Sequence, residues 1–206
     1  MILAFASMKG GTGKSTLAAH SYGYLKREGI SRWLVDMDPQ ASSFDWLKEN
    51  DAESDCEHLT DLKQASEAIR ERSHGSDVVI IDGAGALSDP TKAALLVADI
   101  VVVPCRPSRM DFRATQAVLE MAKEANRHRD RPVKVLVVPS MVRSNDSMSW
   151  QLQSELEGLG VPITPSVSYR VSFAKAAGDC DFVWDHNDNQ ATAEVEMLME
   201  GIADYV

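Results

Sequence analysis

Cysteine is scarce in this 206-residue sequence, and the three present, Cys56, Cys105 and Cys180, are odd in number, far apart and never in a CxxC spacing. Neither a disulfide framework nor a cysteine metal site is expected. The five histidines are scattered, so packing or surface roles are expected of them. No apolar run approaches the roughly 18 to 20 residues of a membrane span. The opening MILAFAS is too short for a signal peptide and has no basic residue before it, so a cytoplasmic protein with no membrane partner is expected. Positive charge is also short. With 21 Lys and Arg against 31 Asp and Glu the formal net charge is −10, a poor balance for nucleic acid unless the basic residues gather on one face. Internal repeats, low-complexity tracts and an evident linker are absent too. One domain over residues 1–206 is expected, with 44% hydrophobic residues to build its core.

What is present is an alternation. Short apolar, β-branched runs recur at Ile2 to Ala6, Trp33 to Val35, Val78 to Ile81, Ile100 to Val103 and Val133 to Val138, each suited to a strand buried on both faces. Between them lie stripes at helical spacing: Leu17, Ala18, Tyr22 and Leu25; Leu59, Leu62, Ala65 and Ile69; Val118, Met121, Ala122 and Ala125. The βαβα order predicts an α/β fold with a mainly parallel sheet flanked by helices on both faces. Asp179 to Gln190 reads as a polar, turn-rich loop before a last helix carrying Val195, Leu198 and Ile202.

The chemistry-bearing motifs fall just after strands, where such sheets bind ligands. In MKGGTGKST, residues 8–16, Gly10, Gly11 and Gly13 let backbone amides wrap phosphate oxygens, and the helix that follows adds its positive end. Lys14 would reach the β and γ phosphates, and the Ser15 hydroxyl would coordinate magnesium. The usual Gly-x-x-x-x-Gly-Lys-Ser/Thr pattern has a glycine where this chain has Met8. The bland alternative is a glycine turn with a surface lysine. Asp82, ending VVIID, could hold a magnesium-bound water. In LVDMDPQ, Asp36 and Asp38 point the same way from a strand end, so one could fix magnesium hydration and the other orient the attacking water.

KGGTGKST together with VDMDPQA and VVIIDGAG resembles the ParA family of deviant Walker-A ATPases, which partition plasmids and chromosomes and position other cargo. GAGALSDPTKAALLVADIVVVPCRPSRMDF resembles the Walker B region and the Pro-Ser-x-x-Asp segment of that family, so the likeness is carried by residues 1–113. The short chain, whose first strand begins at once and leaves no N-terminal DNA-binding extension, is similar to the small ParF-like plasmid-partition members. The resemblance implies a P-loop NTPase fold, ATP and Mg2+ as cofactors, and a catalytic set of Lys9, Lys14 and Asp38. Lys9 would reach across an ATP-dependent homodimer to the phosphates of the other subunit, an arrangement in which nucleotide joins the subunits and hydrolysis times their separation. Nucleotide contacts are implied for Gly10, Gly11, Thr12, Gly13, Lys14, Ser15 and Thr16, with Thr16 at the α-phosphate and Pro107 and Ser108 at the adenine edge. Magnesium would involve Ser15, Asp82 through water, and Asp36 unless that residue is structural. Asp111 reads equally well as a helix cap.

Family members ride the nucleoid through unspecific contacts to DNA phosphates and answer to a ParB-like stimulating partner; such contacts require clustered cations. The candidates here are Lys123, Arg127, Arg129, Arg131, Arg170 and Lys175, whereas Glu194, Glu196, Glu200 and Asp204 make the last helix repellent to DNA. Three alternatives share the loop. A P-loop synthetase or small-molecule kinase would not be expected to carry DPQ. A membrane-positioning ATPase like MinD would end in a basic amphipathic helix, and here the tail EVEMLMEGIADYV is acidic. An iron–sulfur reductase would need cluster cysteines that are not matched. A positioning ATPase that uses a track other than DNA stays open.

Overall fold

The computed structural model describes residues 1–50, 52–83 and 89–206. In chain order the elements are β1 (Ile2–Phe5), α1 (Lys14–Arg27), β2 (Arg32–Asp36), α2 (Ser42–Glu49), β3 (Cys56–His58), α3 (Leu62–Arg72), β4 (Val78–Asp82), α4 (Asp89–Val97), β5 (Ile100–Cys105), α5 (Arg109–Asn126), β6 (Lys134–Val142), α6 (Ser147–Glu157), β7 (Val167–Ser168), α7 (Val171–Asp179) and α8 (Asn189–Ala203), with single 3-10 turns at Glu53–Asp55 and Val183–His186. Seven strands form one sheet in the order β3-β2-β4-β1-β5-β6-β7, and every strand pairing among the described residues is parallel. This is the fold expected from the alternation of apolar runs and helical stripes.

Strand side chains alternate between two apolar layers because successive Cβ atoms leave a sheet on opposite sides. Leu3, Phe5, Leu34, Ile80, Val102 and Leu136 pack under α1, α2, α7 and α8. Ala4, Trp33, Val35, Val79, Ile81 and Val101 pack under α3, α4 and α5. Burial on both faces is why these strands read as unbroken apolar runs rather than alternating ones.

The chain leaves β1 towards β2 on one side and leaves β5 towards β6 on the other, so the loops after β1 and β5 diverge at a switch point, the place where open α/β sheets leave a crevice. On the opposite side of β1 the register aligns Phe5 with Asp82 and Asp82 with Asp36, bringing the ends of β1, β4 and β2 together.

Several expectations need correction. The strands β3 and β7, three and two residues long, are too short to give an apolar run. Helices α2, α4, α6 and α7 correspond to none of the stripes read from the sequence. Leu59 precedes α3 rather than belonging to it. The segment Asp179–Gln190 is no solvated loop: Phe182 and Val183 lie in the core, and the Phe182 ring packs so close to Gly23 of α1 that a Cβ there would meet it at 2.5 Å. The stretch GAGALS at the head of the Walker B likeness lies for the most part outside the described residues.

Candidate functional site

The loop after β1 is shaped by two glycines. Gly11 has φ +71 and Gly13, which precedes the first turn of α1, has φ +98, a region that L side chains avoid. Thr12 is buried between them, and its carbonyl accepts a hydrogen bond from Ser140 Oγ at 2.9 Å, tying the loop to the end of β6. Gly10, Gly11, Gly13, Lys14, Ser15 and Thr16 line one wall of a cavity of about 690 Å³, and Asp38, Pro39 and Gln40 line another. Lys14 is buried at the wall of this cavity.

The three aspartates at the strand ends differ sharply. Asp36 is fully buried; its Oδ1 accepts from the amide of Asp38, and its Oδ2 accepts from the amides of Ser43 and Phe44 and from the Ser43 hydroxyl, at 2.9 to 3.1 Å. Three of these bonds hold the first turn of α2 and the fourth holds the loop after β2, which is the structural role open to this residue. Asp38 lines the cavity, and its Oδ1 accepts from the amide of Gln40 at 3.0 Å. Asp82 is fully buried, and neither carboxylate oxygen has a hydrogen-bond partner among the described residues. Burial, and after it the negative charge of Asp36, pushes its carboxyl up to about 7; the nearby Ser15 and Ser43 hydroxyls and Lys14 pull the other way without reaching hydrogen-bonding geometry. An orphaned buried carboxylate beside a loop serine fits a hydrated divalent cation, because bound water would supply the missing donors.

Lys9 stands apart from the cradle. Its Nζ donates to Asp111 Oδ2 at 2.7 Å across the switch point, and Lys9 does not line the phosphate cavity. Asp111, 1% exposed, also accepts from Arg106 Nε at 2.8 Å and from Ser108 Oγ at 2.7 Å. Burial alone would raise its pKa, but the hydrogen bonds of Arg106, Lys9 and Ser108 together hold it below the usual carboxylate range. The cap of α5 is Ser108, whose Oγ accepts from the amides of Met110 and Asp111, so Asp111 is a charge anchor rather than the cap.

Pro107 and Ser108 line neither cavity at the loop. A second, largely apolar cavity of about 220 Å³ adjoins the first at Gly13 and Thr16 and is walled by Met141, Val167, Tyr169, Phe173 and Ala174. These residues, and Arg106, escaped sequence reasoning. The cavity is assembled from the ends of β6 and β7 and from α7, none of which carries a local motif.

The candidate DNA contacts do not share a surface. Lys123 pairs with Glu120 and Arg127 with Glu124 on exposed turns of α5. Arg129 donates to the carbonyls of Leu95, Ala98 and Arg131, closing the end of α4, and Arg131 is exposed beside it. Arg170 is bonded to Glu194 and Gln190, and Lys175 is exposed on α7, which packs on the opposite face of the sheet from α5. Arg129 and Arg170 therefore have structural partners, and Glu194, expected to face solvent, is buried.

A glycine loop between the central strand and a helix, a buried lysine and a strand-end aspartate with no hydrogen-bond partner among the described residues define a P-loop nucleotide-binding protein. Residues 3–180 match the CobQ/CobB/MinD/ParA nucleotide binding domain, and the chain belongs to that family. Among relatives, it is 28% identical over 180 residues to the maintenance of carboxysome distribution protein A of Halothiobacillus neapolitanus, covering 84% of this chain and 82% of that one. It is 31% identical over 143 residues to the protein ParA of Rhizobium radiobacter, covering 68% of this chain and 64% of that one. Among solved structures, apo McdA of Cyanothece superposes with a TM-score of 0.83 over 98% of both chains at 18% identity, and an ATP complex of a McdA variant from Cyanothece superposes at 0.80, also at 18%. At that identity the likeness is one of fold. No helix among the described residues is long and apolar enough to cross a membrane.

Proposed function

We propose that this chain is an ATP-driven switch that dimerises when two nucleotide-bound copies meet at their loops, and that it partitions a plasmid or positions another cargo. ATP sits with its phosphates in the larger cavity and its base in the apolar one. Ser15 and, through water, Asp82 hold Mg2+, which when bound supplies charge neutralisation at the phosphates. Lys14 holds the terminal phosphates, Thr16 the α-phosphate, and Asp38 orients the attacking water. The observation that carries the reading is the posture of Lys9. Its ammonium rests on Asp111 outside its own phosphate cavity, so it serves a phosphate only by leaving that anchor, as it would in reaching a second subunit.

The relatives named for carboxysome distribution and for ParA support a positioning role. Hydrolysis is slow without a stimulating, ParB-like adaptor. DNA is the proposed track, contacted through Lys123, Arg127 and Arg131, with the nucleoid as the resulting location. A second reading, a positioning ATPase with a different track, is favoured by the pairing of Lys123 and Arg127 with glutamates and by the charge of −10.

The test measures molar mass by light scattering with ATP, with ADP and without nucleotide. Wild type doubles in mass with ATP alone, and Lys9→Ala stays monomeric while still binding ATP. An ATP-dependent dimer in Lys9→Ala would overturn the cross-subunit role.

A further inference from the structure

The wall of the apolar cavity is weakly supported by the sheet. Strand β7 is only two residues long, pairs with β6 alone among the strands, and does so across a register irregularity between Ser140 and Val142. Beyond it the Tyr169 amide donates to the Val142 carbonyl at 2.9 Å. Yet Val167 to Arg170 contribute directly to the cavity. A site that selects a ligand must be held by something stiffer than a short edge strand.

What holds it is the carboxylate of Glu194, which comes from α8 and is 8% exposed. Its Oε2 accepts from the amide of Ser168 at 2.9 Å. Its Oε1 accepts from Ser168 Oγ at 2.7 Å and from Arg170 Nε and Nη2 at 3.1 and 2.8 Å. Arg170 Nη1 reaches on to Gln190 Oε1 at 2.9 Å, and Ser172 Oγ donates to Asp188 Oδ2 at 2.7 Å, so the turn after β7 and the first turn of α7 are tied to the start of α8. Two guanidinium N–H groups converge on one oxygen of the buried carboxylate, and their positive charge neutralises it.

We infer that Glu194 is a positioning residue for nucleotide: through Ser168 and Arg170 it sets the wall against which the base packs, and so sets the share of ATP affinity that comes from the base rather than the phosphates. This rests on the reading that the apolar cavity takes the base. The last helix, lacking any residue in either cavity, thereby becomes part of the binding site's support.

The experiment measures affinity for ATP and, by competition, for inorganic tripolyphosphate, both with Mg2+, on wild type, Glu194→Ala, Ser168→Ala and Ala174→Trp. Glu194→Ala is expected to weaken ATP about tenfold, with tripolyphosphate unchanged to within about twofold; that tenfold corresponds to about 1.4 kcal/mol. Ser168→Ala, which keeps the Arg170 pair, gives a smaller loss in the same direction and guards against a folding failure. Ala174→Trp fills the cavity and checks the underlying reading. If it leaves ATP affinity intact, the cavity does not hold the base and the inference falls with it. If it weakens ATP while Glu194→Ala and Ser168→Ala do not, the inference alone is overturned. Equal losses of ATP and tripolyphosphate in Glu194→Ala would mark a general loosening and overturn it as well.

Discussion

Two lysines five residues apart carry different burdens. Lys14 is buried at the wall of the phosphate cavity, whereas Lys9 is held outside it by Asp111. Lys14→Ala removes the only lysine that lines that cavity among the described residues, and ATP affinity is expected to fall at least about a hundredfold, roughly 3 kcal/mol or more, by isothermal calorimetry. Asp38→Asn should separate binding from turnover: ATP affinity within about threefold of wild type and hydrolysis reduced about a hundredfold or more, the size of effect typical when a group aligning the nucleophile is lost. Hydrolysis at the wild-type rate would remove Asp38 from the mechanism. At this scale the loop and the strand-end aspartates were legible, because a phosphate cradle requires particular residue types in consecutive positions. The anchoring of Lys9 by Asp111 was not, since that bond joins residues 102 positions apart and only the switch between β1 and β5 brings them together.

Among the elements, α1 shows how the nucleotide loop is braced from behind. His20 is buried among Trp46, Phe173, Phe182 and Trp184; its Nδ1 pairs with the Thr16 carbonyl at 2.8 Å, and its Nε2 accepts from the Val183 amide at 3.3 Å. That pair of bonds needs the neutral ring with its proton on Nδ1. Burial lowers the pKa from 6.5 to about 4, against smaller opposing effects of the Thr16 bond and the Asp185 charge. Between those values the unfolded chain binds a proton that the folded chain refuses, so stability is lost as pH falls from about 6.5 towards 4, by about 3 kcal/mol in all. Urea unfolding across that range should show wild type losing more stability than His20→Gln by this amount; parallel profiles would refute it. Gly23→Ala drives a methyl into the Phe182 ring and should cost about 1 to 3 kcal/mol in the same assay. Helical stripes and double-sided strands were readable because their periodicity is local. Phe182 and Val183 were misread because DCDFVWDHNDNQ has turn composition, and only tertiary packing shows that its apolar residues enter the core.

For the whole molecule, charge decides what the surface can meet. Wild type with ATP is expected to bind duplex DNA weakly and with steep salt dependence, and each lost phosphate contact should lower the slope of log K against log salt by about 0.9. The combined change Lys123→Ala, Arg127→Ala and Arg131→Ala should flatten that slope; an unchanged slope would move the DNA contacts elsewhere, and no binding at any salt would favour another track. Composition gave the charge balance, but it could not say that Arg129 and Arg170 are occupied or that the two sets of cations lie on opposite faces of the sheet. The sheet order has a further consequence for how the protein is made. Strand β1 is flanked by β4 and β5, so it leaves the ribosome before either neighbour exists, stays without a partner until β4 has emerged at residue 82, and gains its second neighbour only when β5 has emerged at residue 105. At about 5 to 20 residues per second the wait for both neighbours is on the order of 5 to 20 seconds. For that time the nascent chain presents its most central strand, with the nucleotide loop still unformed behind it, to whatever protects unfinished proteins in the cell.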